Sequence, residues 1–145
     1  MRKTMWWLSL SLALAASASV VNAAADQSAA DQSAKVTPLM SKDVVAAPGK
    51  EITMITVEYM PGSVDPIHTH NAQALIYVLE GEIVMQVKGG PQVTLKPGQT
   101  FYEGPEDVHI VGRNASKTKP AKFVAFFVKE KGAPILTPVQ GGETK

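Results

Sequence analysis

Among its 145 residues the chain has no cysteine, so neither a disulfide scaffold nor a thiol nucleophile is available to it. Charge of one sign is not in excess either. The 14 Lys and Arg face 13 Asp and Glu for a formal +1, which excludes the basic footprint of a nucleic-acid-binding domain. Aromatic residues make up only 6%, and both tryptophans, Trp6 and Trp7, fall near the amino terminus. No Gly-x-Ser-x-Gly is present, and no glycine-rich phosphate loop stands ahead of a helical stretch. From residue 39 onward long unbroken segments are missing as well. Pro48-Gly49, Pro61-Gly62, Glu80-Gly81, Gly89-Gly90-Pro91, Pro97-Gly98, Gly104-Pro105, Gly112 and Gly132 leave pieces mostly five to nine residues long, too short for the crossover helices of a parallel sheet.

What is there begins with a leader. Arg2 and Lys3 precede an apolar run from Met5 to Val21 that ends in Val21-Asn22-Ala23, the pattern of a secretory signal peptide over residues 1–23. Cleavage after Ala23 leaves 122 residues without tryptophan, and the expected destination is a bacterial periplasm. The tandem Ala24-Ala25-Asp26-Gln27-Ser28 and Ala29-Ala30-Asp31-Gln32-Ser33 has no apolar periodicity and reads as a flexible tether over residues 24–38. The folded domain is expected over residues 39–138, with a short tail at 139–145.

Within that domain the pieces between turns are rich in β-branched and aromatic residues: Ile52–Tyr59, Leu75–Leu79, Glu82–Val87, Gln92–Leu95, Thr100–Glu103, Val108–Val111 and Lys122–Val128. Several alternate, as with Ile55, Val57 and Tyr59 against Thr56 and Glu58, which predicts one face in a core and one in water. Phe123–Val128 is apolar on both faces and is expected at the centre of a sheet. So many short strands in about 100 residues predict an all-β antiparallel sandwich or barrel, whose stability must come from burial and closure because no crosslink can supply it.

Histidine is the residue that carries chemistry. There are three, His68, His70 and His109, each beside a Pro/Gly turn. Side chains two apart on an extended strand leave the same face about 6.5–7 Å apart, so the rings of His68 and His70 can converge on one metal. His109 joins them only if a later strand crosses close by, which spacing alone does not establish. Surface histidine in a loop is the ordinary alternative.

Gly62-Ser63-Val64-Asp65-Pro66-Ile67-His68-Thr69-His70, continuing to Tyr77-Val78-Leu79-Glu80-Gly81, resembles the first cupin motif, G-x5-H-x-H-x3,4-E-x6-G. Gly98 to His109 resembles the second, G-x5-P-x-G-x2-H-x3-N, with Asn114 at four residues of spacing instead of three. The resemblance spans about Ile52 to Val128. It implies a small antiparallel jelly-roll barrel in which His68, His70 and His109 hold a divalent transition metal, whether iron, zinc, manganese, nickel or copper. Two departures stand out. Gly104 and Glu106 occupy the motif's proline and glycine positions, and Ala74 occupies the place of its ligand glutamate. Gln73 could replace that ligand only through a bulge, because strict alternation turns it away. Glu103, on the face of Phe101, could enter near His109 as the missing carboxylate or as a general base. Tyr59, Tyr77, Phe101 and Phe127 are candidates for an apolar pocket, though core packing is their commoner use.

Function follows only coarsely, since cupins range over many reactions. The reading taken forward is an exported, metal-dependent cupin that acts on or binds a small organic molecule, with a dioxygenase ahead of a lyase or isomerase. The alternative is a non-catalytic periplasmic cupin that binds a small ligand or a metal. No nucleic acid or membrane partner is expected after cleavage. The resemblance to cupins also implies a homodimer paired through an edge strand as one assembly open to the chain, with Ile135-Leu136 a candidate for the contact. Metal affinity is expected to fall as pH drops through about 6.5, where a free imidazole protonates.

Overall fold

The computed structural model describes residues 34–139. The expected signal peptide, the tandem repeat and the tail beyond Val139 lie outside the described residues. Ten strands and no helix are found among those described: β1 (Ala34–Asp43), β2 (Lys50–Tyr59), β3 (His68–Thr69), β4 (Ala72–Glu80), β5 (Ile83–Val87), β6 (Val93–Leu95), β7 (Thr100–Glu103), β8 (His109–Asn114), β9 (Ala121–Glu130) and β10 (Thr137–Pro138). They form two antiparallel five-stranded sheets, ordered β1-β2-β9-β4-β7 and β10-β3-β8-β5-β6. This is the all-β jelly-roll arrangement the sequence predicts.

Apolar periodicity places the core between the sheets. Ile55, Val57 and Tyr59 on β2, Ala72, Ala74, Ile76 and Val78 on β4, and Phe123, Ala125 and Phe127 on β9 are all buried on one side. β9 lies third of five in its sheet, between β2 and β4, with one face buried and the other half-buried. Tyr77 and Leu75, by contrast, point outward and are about half exposed at 48% and 47%. Tyr77 therefore does not serve the pocket for which it was a candidate. Phe101 is only partly buried and packs on the core's flank.

Ala34–Pro38, read from the sequence as the end of a tether, belongs instead to β1. Its register runs from Ala34 opposite Tyr59 to Asp43 opposite Glu51, with a bulge between Pro38 and Met40. The strand is exposed beyond Ala34, so its side chains show no buried alternation to betray it; backbone pairing to β2 holds it. The strand thus places residues 34–38, ahead of the expected boundary at residue 39, in the sheet.

Two motif residues have structural work that their chemistry explains. Gly81, which closes the first motif, has φ +70°, and a Cβ there would lie 2.6 Å from the carbonyl oxygen of Pro120. The buried amide of Asn114 donates to the carbonyls of Tyr59, Met60 and Lys119 at 3.2, 3.1 and 2.8 Å, while its oxygen accepts from the backbone N–H of Ser116 at 2.8 Å. One side chain thus ties the end of β2, the end of β8 and the loop before β9, its two amide hydrogens shared among three backbone acceptors.

Candidate metal centre

β3 and β8 bring the histidines together, because His68 pairs with His109 in antiparallel register. The residue after His70, Asn71, takes φ +49°, a left-handed turn that ends the strand just past the pair. All three imidazoles are buried, at 2%, 9% and 2% exposure for His68, His70 and His109. Among the described residues they are the group whose nitrogens, all within 4.8 Å of one another, could hold a metal ion.

Hydrogen bonds fix which nitrogens face the centre. His68 Nδ1 donates to the carbonyl of Pro66 at 2.7 Å, and His70 Nδ1 to the carbonyl of Ile135 at 2.6 Å. A carbonyl only accepts, so each Nδ1 carries the proton and each Nε2 presents a lone pair. Those two Nε2 atoms lie 3.2 Å apart, and His109 Nδ1 lies 3.3 Å from His68 Nε2. Lone pairs directed at each other across such a gap repel unless a cation sits between them. Bonds of about 2.0–2.1 Å to one ion place neighbouring ligand atoms about 3–3.4 Å apart, the spacing of these two pairs.

Glu103 completes the cluster. Its carboxylate oxygen Oε2 lies 3.5 Å from both His70 Nε2 and His109 Nδ1, and the side chain is 1% exposed. Neither of its oxygens has a hydrogen-bond partner. A dry, unpartnered carboxylate is among the costliest things a fold can bury, and it marks a place for a counter-charge. The β4–β7 register pairs Glu103 directly with Ala74, on the same buried side. Where the motif position holds Ala74, the neighbouring strand thus places a carboxyl beside the histidines. Gln73 stays exposed between buried Ala72 and Ala74, so alternation holds and no bulge turns it inward.

Burial sets the protonation of the site. It pushes Glu103 up to about 8, with the nearby charges of Asp107 and Asp65 adding to the effect. Burial also pushes His70 and His109 down to about 4, with the neighbouring histidines contributing. Two of the imidazoles are therefore neutral, competent ligands well below the pH 6.5 expected of free histidine. Near neutrality the raised carboxyl of Glu103 brings a proton that competes with a metal.

The cluster opens into a cavity of about 220 Å³ between the sheets, walled by Ile55, Val57, Met85, Phe123 and Phe127 among others. Phe127 packs on His70 with ring centres 5.0 Å apart. Sequence reasoning identified Tyr59 and Phe127 as pocket candidates but missed Asp65, which accepts a hydrogen bond from the Tyr59 hydroxyl and also lines the cavity. Ile135 and Leu136 line the cavity too, a place the sequence did not give them. Their position comes from the carboxy-terminal segment, where β10 pairs with β3 and Val139 N–H donates to the carbonyl of Ile67 at 3.0 Å.

The family model described as "Cupin domain" matches residues 55–127, which include all three histidines and Glu103. The chain belongs to the cupin family. A curated relative, germin-like protein 1 of Brassica napus, is 33% identical over 109 residues, covering 72% of this chain and 52% of its own length. The chain thus spans about half the length of that cupin relative. A solved oxalate oxidase is similar at 25% identity with a TM-score of 0.57, covering 74% of this cupin and 56% of the oxidase. The DMSP lyase DddQ from Ruegeria pomeroyi shares the fold at 20% identity and a TM-score of 0.53, over 60% of this chain and 42% of the lyase. These relatives act on small molecules, and a buried three-histidine group of this kind could hold a metal.

Proposed function

We propose that this chain is an exported, metal-dependent cupin in which His68, His70, His109 and Glu103 hold one divalent transition ion, and in which a small organic molecule reaches that ion through the apolar cavity. The observation that carries the reading is the buried meeting of His68 Nε2, His70 Nε2 and His109 Nδ1, with the unpartnered Oε2 of Glu103 3.5 Å from the last two. Three neutral imidazoles and one carboxylate suit iron, manganese, zinc, nickel or copper. When bound, the ion supplies Lewis acidity toward an oxygen-bearing substrate or, if redox-active, a centre for oxidation.

The chain's own residues do the rest. Pro66 and Ile135 hold protons at Nδ1 and so keep Nε2 of His68 and His70 free. Phe123, Phe127 and Ile55 exclude water, which strengthens every charge interaction inside. Oxidation by a dioxygenase is our first choice of reaction, supported by the similarity to oxalate oxidase. Export to the periplasm rests on the pattern of residues 1–23. The alternative is a binder without turnover.

Changing His68 and His70 together to alanine should abolish metal retention, measured by elemental analysis of purified protein. Stoichiometric metal in that variant sinks the proposal. Glu103→Gln should weaken metal retention as well; metal kept in full with turnover lost would make Glu103 a general base in place of a ligand. Dioxygen consumption over a panel of small phenols and enols separates the oxidase from the binder, which would shift the melting temperature and consume nothing.

A further inference from the structure

Among the described residues, the cavity beside the histidines is lined by two carboxylates, Glu103 and Asp65, and by no lysine, arginine, asparagine or glutamine. A divalent ion held there brings +2, and the two carboxylates formally cancel it. No field remains to draw in a dianion, and no cationic side chain could grip a second carboxylate at the far end. The Tyr59 hydroxyl is not available as a donor either, because its proton is given to Asp65. Beyond the polar end, the walls are made by Ile55, Val57, Ile76, Met85, Phe123 and Phe127. A cavity of about 150 Å³ with such walls holds benzene, so about 220 Å³ holds a substituted ring or a short alkyl chain.

We infer that the substrate or ligand is a compact, apolar molecule, neutral or singly charged, that carries its oxygen donors at one end and presents them to the histidine cluster. Small dicarboxylates such as oxalate and polyhydroxy compounds such as sugars are selected against. The polar end of this inference rests on the metal-centre reading above; the apolar end rests on the cavity alone.

The test uses full-length protein loaded with manganese(II) and checked by elemental analysis. Straight-chain alkyl hydroxamates, neutral probes with two oxygens at one end, are titrated from acetohydroxamate to hexanohydroxamate by calorimetry, alongside oxalate. Each added methylene buried against the walls should tighten binding about fourfold, and oxalate should bind more weakly than hexanohydroxamate. Affinity independent of chain length, or oxalate as the tightest probe, overturns the inference. Protein that retains none of manganese, iron, zinc, nickel and copper, each offered in turn, refutes the metal-centre reading by itself. The series from 1-propanol to 1-hexanol on metal-free protein then decides the cavity, where fourfold steps uphold the apolar selection and a flat series overturns it.

Discussion

Glu103→Gln changes the charge of the site while keeping its bulk. In metal-free protein, burial pushes this carboxyl from 4.5 up to about 8. Between those two values the folded chain holds a proton that the unfolded chain has released, so stability falls as pH rises through the window, by about 1.4 kcal/mol per pH unit. At pH 7 the accumulated loss relative to pH 4.5 is about 3 kcal/mol, a large share of the roughly 5–15 kcal/mol by which domains are stable. Glutamine is neutral at every pH. The variant should therefore exceed metal-free wild type in stability by up to that amount at pH 7 and by almost nothing near pH 4.5. Urea unfolding of chelator-treated wild type and variant at pH 5, 6 and 7 measures the difference, and the imidazole contributions common to both proteins cancel in it. Equal stability at pH 7, or a difference that does not grow with pH, would refute the account of a dry, uncompensated carboxyl. Added metal should reverse the order, since it binds the native wild-type carboxylate and gives the glutamine variant much less.

Acid should act through the imidazoles. His70 and His109 stay neutral in the folded chain down to about 4 but protonate near 6.5 once unfolded, so metal-free Glu103→Gln should lose stability steadily from pH 6.5 down to about 4. A flat unfolding midpoint across that range would contradict their burial. Gly112→Ala should loosen the site even though Gly112 does not have a positive φ: the new Cβ would lie 2.7 Å from Asp65 Oδ2 and 3.0 Å from His109 Cε1. A destabilisation of about 1–3 kcal/mol with weakened metal binding is expected, and unchanged metal affinity would show that the ring of His109 can give way. Asn114→Ala strips hydrogen bonds from three carbonyls and should cost about 2–4 kcal/mol in denaturant unfolding, with far less lost if water replaces the amide.

Period-two patterning made most of the fold legible. β2, β4, β5 and β9 fall where branched and aromatic residues run between turns, and His68 and His70 converge as their spacing requires. β1 was hidden because an edge strand that buries almost nothing leaves no alternation to read. The side of β4 was ambiguous since both its faces, Ala72-Ala74-Ile76-Val78 and Leu75-Tyr77-Leu79, are apolar, and so Tyr77 was a pocket candidate. That Glu103 lies on a core-facing position was readable from alternation on β7. Its pairing with Ala74 was not, because register between strands some thirty residues apart is set by closure of the whole sheet. Asp65, Ile135 and Leu136 escaped for the same reason: chain segments distant in sequence carry them to the cavity.

The last described stretch of chain is fastened largely by main-chain groups. Lys129, buried at the end of β9, donates to the carbonyl of Ala133 at 2.6 Å, and the carbonyl of Ile135 holds the ring of His70. Side chains in this stretch can therefore drift over evolutionary time without disturbing the imidazole, provided its path is kept. Its cutting cannot be absorbed so easily. A protease nick or an affinity handle spliced in near residue 134 would be felt first as a rotated histidine, long before the barrel itself came apart.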